Sequence, residues 1–320
     1  MAFPTNTFAT YEAIGNREDL SDMIYRIDPT DTPCISAVDT EKATAVNHEW
    51  QTQALAAAAT NAQIEGNDFA GVAVTPTVRL GNIQQISAKF AVVSGTQQAV
   101  QHAGRSNEMA YQEMLKGMEL KRDMEMVLFG SNAAKNAGND TTARVTATVL
   151  SWIKTNTSKA SAGTAGVDPA AADGTGTRTD GTQIAFTEAR LKTVLSGCWT
   201  SDGKPNMIVT GAFNKQVFST FTGRATPMEQ ASSKKIVASV DAYESDFGRL
   251  KVVPDRFTRA RDVLVLETDK WAVSYLNGRK FVSLNIAPTG DATKREILSE
   301  YGLVARNEKS SGGVFDNTTS

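Results

Sequence analysis

The chain has 320 residues, a formal net charge of −2 and a charged fraction of 21%. That length allows about two domains or subdomains with a sizeable core, and the near-neutral balance excludes bulk attraction to nucleic acid or an anionic membrane. Two distant cysteines, Cys34 and Cys198, make no disulfide framework or CxxC metal spacing, and read as small buried hydrophobes. There is no signal-peptide core and no bilayer-length apolar run, so a soluble protein of the reducing cytoplasm is expected.

In chain order, residues 1–40 read as an extended arm with aromatics at Phe3, Phe8 and Tyr11 and no periodic partner face. A short helix is expected over Arg17–Tyr25, ending before Asp28-Pro29. Residues 43–54 alternate, with Val46, His48, Trp50 and Thr52 on one face. Residues 83–93 alternate again, with Ile86, Ala88, Phe90 and Val92 together. The Ala-rich stretch between them, which includes Phe69, predicts a long antiparallel excursion with a flexible tip.

Asn107–Phe129 carries the longest helical pattern. Met109, Tyr111, Met114, Leu115, Met118, Leu120, Met124, Val127 and Leu128 recur at three- and four-residue intervals. Ser106 or Asn107 can cap it, Gly130 can end it, and Glu113 with Lys116 and Glu119 with Arg122 can pair on its surface. Such a helix is roughly 35 Å long. Tyr111, Leu115 and Met118 are its predicted core positions. Residues 155–183 are nearly all small, polar or Pro and predict a mobile loop that tolerates insertion near Gly174.

A helix capped by Thr187, a strand at Asn206–Thr210 and a helix at Ala212–Phe221 form an α/β unit. Strands at Ile236–Ala242 and Arg249–Val253 flank a turn at residues 245–248. Val263–Leu266 reads as a buried strand, and Trp271–Leu276 with Phe281–Ile286 as a hairpin about Asn277-Gly278. A closing strand covers Glu296–Arg306, and the tail from Asn307 reads as frayed. The class is α+β.

Chemistry is sparse. His48 and His102 have no nucleophile or carboxylate arranged around them. Asp255, Arg256, Arg259, Arg261 and Asp262 read as a solvated charged loop, and no phosphate loop or nucleic-acid motif appears. No enzyme, metal or cofactor is expected.

GNREDLSDMIYRIDPTDTPCISAV, NHEWQTQALAAAA, Ile64-Glu65-Gly66, ESDFGRLKVVPDRF and EILSEYGLVARNE together resemble the tailed-bacteriophage major capsid protein family with the Hong Kong 97 type fold. The resemblance implies an N-terminal arm at 1–40 and an extended hairpin loop at 41–92. It implies a peripheral domain at 93–130 and 276–320 with a long spine helix, and an axial domain at 131–275. The implied function is self-assembly, through hexamers and pentamers, into an icosahedral head that encloses double-stranded DNA without reading its sequence. Phe3, Phe8, Tyr11, Trp50, Phe69, Asp291 and Lys294 are the expected inter-subunit contacts. Portal protein, a separate scaffolding protein and decoration protein are the expected partners; no membrane is. Scaffolding is expected to be separate because the chain starts at Met1 directly in the arm. The distal hairpin, Gln51–Val78, has no lysine, so the lysine–asparagine crosslink of some such shells is not expected. An encapsulin-like nanocompartment shell is the alternative. A hydrolase or lectin-like domain is the rival from another class.

Overall fold

The computed structural model describes residues 31–68, 71, 73–101, 104–161, 163–221 and 242–320. Phe3, Phe8, Tyr11, Phe69, His102, the helix expected at 17–25 and the strand expected at 236–241 lie outside the described residues. In order, the first half contains α1 (Pro33–Ala37), β1 (Asp39–Ala43), β2 (Asn47–Thr52), β3 (Val78–Ile83), β4 (Gln85–Ser94), α2 (Gly95–Ala99), α3 (Glu108–Glu125), α4 (Val149–Trp152) and β5 (Asn156–Ser158). Then follow α5 (Glu188–Thr200), β6 (Met207–Thr210), α6 (Ala212–Ser219), β7 (Ala242–Ser245), β8 (Gly248–Pro254) and β9 (Val263–Leu266). The last strands are β10 (Trp271–Leu276), β11 (Val282–Ile286), β12 (Ala292–Ala305) and β13 (Gly312–Val314).

The expected long helix is α3, with a π-helical turn at Met126–Gly130. Asn107 accepts the Ala110 N–H, which satisfies one of the first-turn donors. Met109, Leu120, Met124 and Leu128 are buried, whereas the expected core positions Tyr111, Leu115 and Met118 are only half-buried. The sheet covers one side of the helix, so the buried stripe is narrower than the apolar one. Lys116 pairs with Glu119 at 2.9 Å, but Glu113 pairs with Arg295 of β12 and Arg122 lies over the Phe257 ring. Partners on other elements displace two of the expected helix-surface contacts.

α3 packs on a sheet in which β12 is central. β4 lines one edge of β12 from Ala292 to Tyr301. β10 and β11 lie end to end along the other edge, at Tyr301–Ala305 and Lys294–Leu298 respectively. Asn277-Gly278 therefore does not fold β10 and β11 onto each other as expected. Residues 277–281 bulge out of one interrupted partner strand, and the Asn277 N–H bonds Ala43 O of β1 instead. The 14-residue β12 supplies enough ladder for both segments, which removes the need for a hairpin.

The second sheet has the order β5-β13-β9-β6-β8-β7. Its strand β13 lies in the tail expected to fray. Phe315 and Asn317 have no exposed surface there. Gly312 makes the pairing possible, since a Cβ would sit 2.3 Å from Asn156 O. The chain after Asn307 thus joins this second sheet rather than the one centred on β12.

Residues 155–183 were expected to be mobile, yet buried charges pin them. Arg178 is 3% exposed, pairs with Asp168 at 2.6 Å and lies 3.4 Å from the centroid of the Phe315 ring. Arg259 and Arg261 both reach Asp180, and Arg261 reaches Asp316 at 2.9 Å. Asp316 also accepts the Gly181 N–H. The supposed solvated loop at 255–262 is therefore half of a buried network. Gly174 has φ +76°, and a Cβ there would meet Ala147 and Trp152, so the site has no room for an insertion.

Leu120 has no exposed surface. Leu120→Ala is expected to cost about 2–5 kcal/mol in urea unfolding, because the helix and sheet cannot close over the cavity; a loss under about 1 kcal/mol would place it outside the core.

Asp262 is buried beside Arg259, with Nε at 3.3 Å, and burial pushes its pKa from 3.8 up to about 6 against the pull of Arg259 and Arg178. The folded state thus holds a proton that the unfolded state releases. That contribution to stability is complete below about pH 4 and is lost as pH rises through 6. Asp262→Asn should raise the unfolding free energy at pH 8, by at most roughly 3 kcal/mol, and change it little at pH 4. An equal effect at both pH values would refute the assignment.

Candidate assembly interface

Among the described residues, β2 and β3 pair only with each other, from Asn47↔Ile83 to Thr52↔Val78, and form a ribbon. Alternation places His48, Trp50 and Thr52 on the half-buried side and Asn47, Glu49 and Gln51 outside, as expected. The strand expected at 83–93 is β4 and does not pair with β2; residues 78–83 do. Beyond the ribbon the described residues form neither strand nor helix. Leu55, Ile64 and Val74 are 96%, 82% and 86% exposed. Apolar side chains so placed have no core of their own.

The root of the ribbon is tied down. Trp50, expected to reach a neighbour, packs at home. Its Nε1 donates to Ala305 O at 3.0 Å, and its ring lies 5.5 Å from that of Trp152. It sits at the foot of the ribbon, where β12 and α4 are within reach. Asn82 is buried; its amide donates to Ala147 O and Leu303 O, and its Oδ1 accepts Ala147 N–H. Lys135 Nζ donates to Gly81 O and Asp173 O, each at 2.8 Å. His48 Nε2 stands 3.5 Å from Glu41.

A second exposed surface is the outer face of the β4-β12-β11 sheet. The odd-numbered residues of β4 face α3: Lys89 pairs with Asp123 at 2.6 Å, and Ala91 and Val93 cluster with Met109. The even-numbered ones therefore face away. Ile86, Phe90 and Val92 are 48%, 57% and 59% exposed, and Leu284 of β11 is also exposed. Across the register, Phe90 and Leu284 flank Glu296, and Val92 and Ile286 flank Lys294. The alternation of these residues was legible in the sequence; that their face is the bare one was not.

Asp291 is exposed beside α2, where its carbonyl accepts the Gly95 N–H. Lys294 is half-buried and reaches Thr289 within the same loop. The structure thus places Asp291 and Lys294 at one corner of the sheet, with Trp50 in the body.

Both cysteines are buried. Burial pushes the Cys34 thiol well up and Cys198 to about 12. Cys34 lies by Glu125 and Asp255, a grouping that could in geometry hold a cation. Glu125 already accepts the Cys34 and Ile35 N–H groups at 2.7 and 2.9 Å, which makes it a cap on α1. Burial raises its pKa, and the two backbone bonds only partly oppose that. Among the described residues, no helix is long and apolar enough to cross a membrane.

The chain is 26% identical to the major capsid protein of Escherichia phage Phieco32, over 98% of both chains. Its fold is similar to that of the Cyanophage A-1(L) capsid, with a TM-score of 0.64, 14% identity and coverage of 98% and 99%. It is also similar to an encapsulin complex of Synechococcus elongatus, with a TM-score of 0.57, 9% identity and coverage of 96% and 94%. A family model described as SU10 major capsid protein matches residues 3–318. A projecting ribbon, a helix-backed sheet with one bare face and a match across nearly the whole length agree: the chain belongs to the SU10 major capsid protein family, with the Hong Kong 97 type fold.

Proposed function

We propose that this capsid protein builds the icosahedral head of a tailed phage around double-stranded DNA, and that each copy lays its ribbon and N-terminal arm on neighbouring copies. The observation that carries the reading is the pairing of two incomplete surfaces in one chain. The ribbon tip exposes Leu55, Ile64 and Val74, and the outer sheet face exposes Phe90, Val92 and Leu284. Among the described residues neither has a partner surface, and repetition in a closed shell would cover both.

On this reading the arm is 1–40, the extended hairpin 41–92, the axial part 131–275, and the peripheral part 93–130 and 276–320. Phe3, Phe8, Tyr11, Phe69, Asp291 and Lys294 are its contact residues. Portal, scaffolding and decoration proteins are the further partners. The contents of purified particles separate this reading from a nanocompartment: DNA-filled heads absorb strongly at 260 nm, and protein-filled shells do not.

Phe90→Ser tests the sheet face. An exposed position of this kind should change subunit stability by no more than about 0.5 kcal/mol. Loss of the ring at every contact should remove roughly 1.5–3 kcal/mol per copy from assembly. The expected result is an unchanged circular dichroism melt with few or no regular shells in negative stain. Regular shells as resistant to denaturant as the parent would overturn the contact.

A further inference from the structure

We propose that Lys135 is the positioning residue that sets the direction in which the β2–β3 ribbon leaves the subunit, and so the geometry at which copies meet. The second half rests on the shell reading above.

The ribbon root is fastened on two sides by different means. On one side, Trp50 and Asn82 hold it by packing and buried hydrogen bonds to the body. On the other side lies an open cleft of about 470 Å³, lined by Asn47, Glu49, Arg79, Gly81, Lys135 and Asp173 among others. Side chains do not fill this gap, so packing does not resist rotation of the ribbon into it. Lys135 spans it. Its ammonium bonds the carbonyl of Gly81 in β3 and that of Asp173 in the 155–183 segment. Its own N–H bonds Gly174 O at 2.8 Å, and its Nζ stands 6.0 Å from the Trp152 ring centroid.

One charge thus ties three segments that are distant in sequence. Charge-assisted bonds to two carbonyls are directional, and each is stronger than a neutral pair. The 155–183 segment is itself anchored through Arg178 and Asp168, so the far end of the strap is firm. A small rotation at the root becomes a large displacement at the tip, because residues 53–77 extend beyond the last ribbon pair at Thr52↔Val78.

The test uses the full-length, unassembled subunit. Cys34 and Cys198 are buried, so spin labels can be directed to Gln53→Cys on the ribbon and Thr193→Cys on α5. Both positions are exposed. Lys135→Met keeps the length of the side chain but loses its donors, and the freed carbonyls face an open cleft where water can reach them. The expected result is a label-to-label distance distribution at least twice as broad as the parent's, with an unchanged melting point. Lys135→Arg, which restores donors, should return the parent width. The methionine variant should form irregular particles and the arginine variant regular ones. An unchanged distribution in Lys135→Met overturns the proposal. So does a broadened distribution with regular shells. Deleting residues 55–76 tests the parent reading separately: regular shells without the tip would sink the ribbon contact itself, whatever Lys135 does.

Discussion

The hydrogen-bond ladder of β12 is the constraint on which the rest depends. Both of its edges are paired, with β4 on one and with β10 and β11 along the other. A strand paired on both edges cannot slip by one residue without turning every side chain to the wrong face. Its first half separates the α3 side from the bare side. Its second half, from Ile297 to Ala305, is buried and meets Trp271 and Val273 of β10 in the main core. The helix, the root of the ribbon through Trp50 and Ala305, and the bulge at 277–281 all take their places from this one strand.

Among the described residues, one side of the sheet is covered by α3 and the other is exposed. Between β4 and β11 the outer face carries Phe90, Val92 and Leu284, with Lys294 and Glu296 set among them. An apolar face without charges would invite indiscriminate association. Charges at intervals favour a partner whose own charges match them, and so add specificity more than affinity. A capsid protein needs weak, selective and repeated contacts, which is what a half-apolar face and a long ribbon with a firm root can provide.

Buried charge does a different task in the second sheet. Arg178, Arg259 and Arg261 meet Asp168, Asp180, Asp262 and Asp316, of which Arg178, Asp262 and Asp316 are buried and the rest partly so. Desolvation makes such a network a poor source of net stability. Its effect is to hold three distant segments, 155–183, 255–262 and 310–317, in one arrangement. These long-range pairs hold the segment at 155–183 in order despite a composition typical of a linker.

Local signals in the sequence determined the elements. Asn107 and Thr187 mark helix starts, periodicity marks α3, and alternation marks β2 and β4, because capping and burial act over a few residues. Scarce histidine and cysteine led to the expectation of no active site, and the family was legible from the runs at 15–38, 47–59 and 296–308. Only the tertiary structure decided which elements pair and which faces are covered. Asn277-Gly278 has the chemistry of a hairpin turn, but its flanking strands were already committed to β12. The Gly-rich stretch at 155–183 and the polar tail read as mobile, because the arginines and carboxylates that hold them lie far along the chain. Trp50 packs at home and Phe90 faces outward although both sit on alternating strands. Periodicity tells which residues share a face; what covers that face depends on contacts between residues hundreds of positions apart.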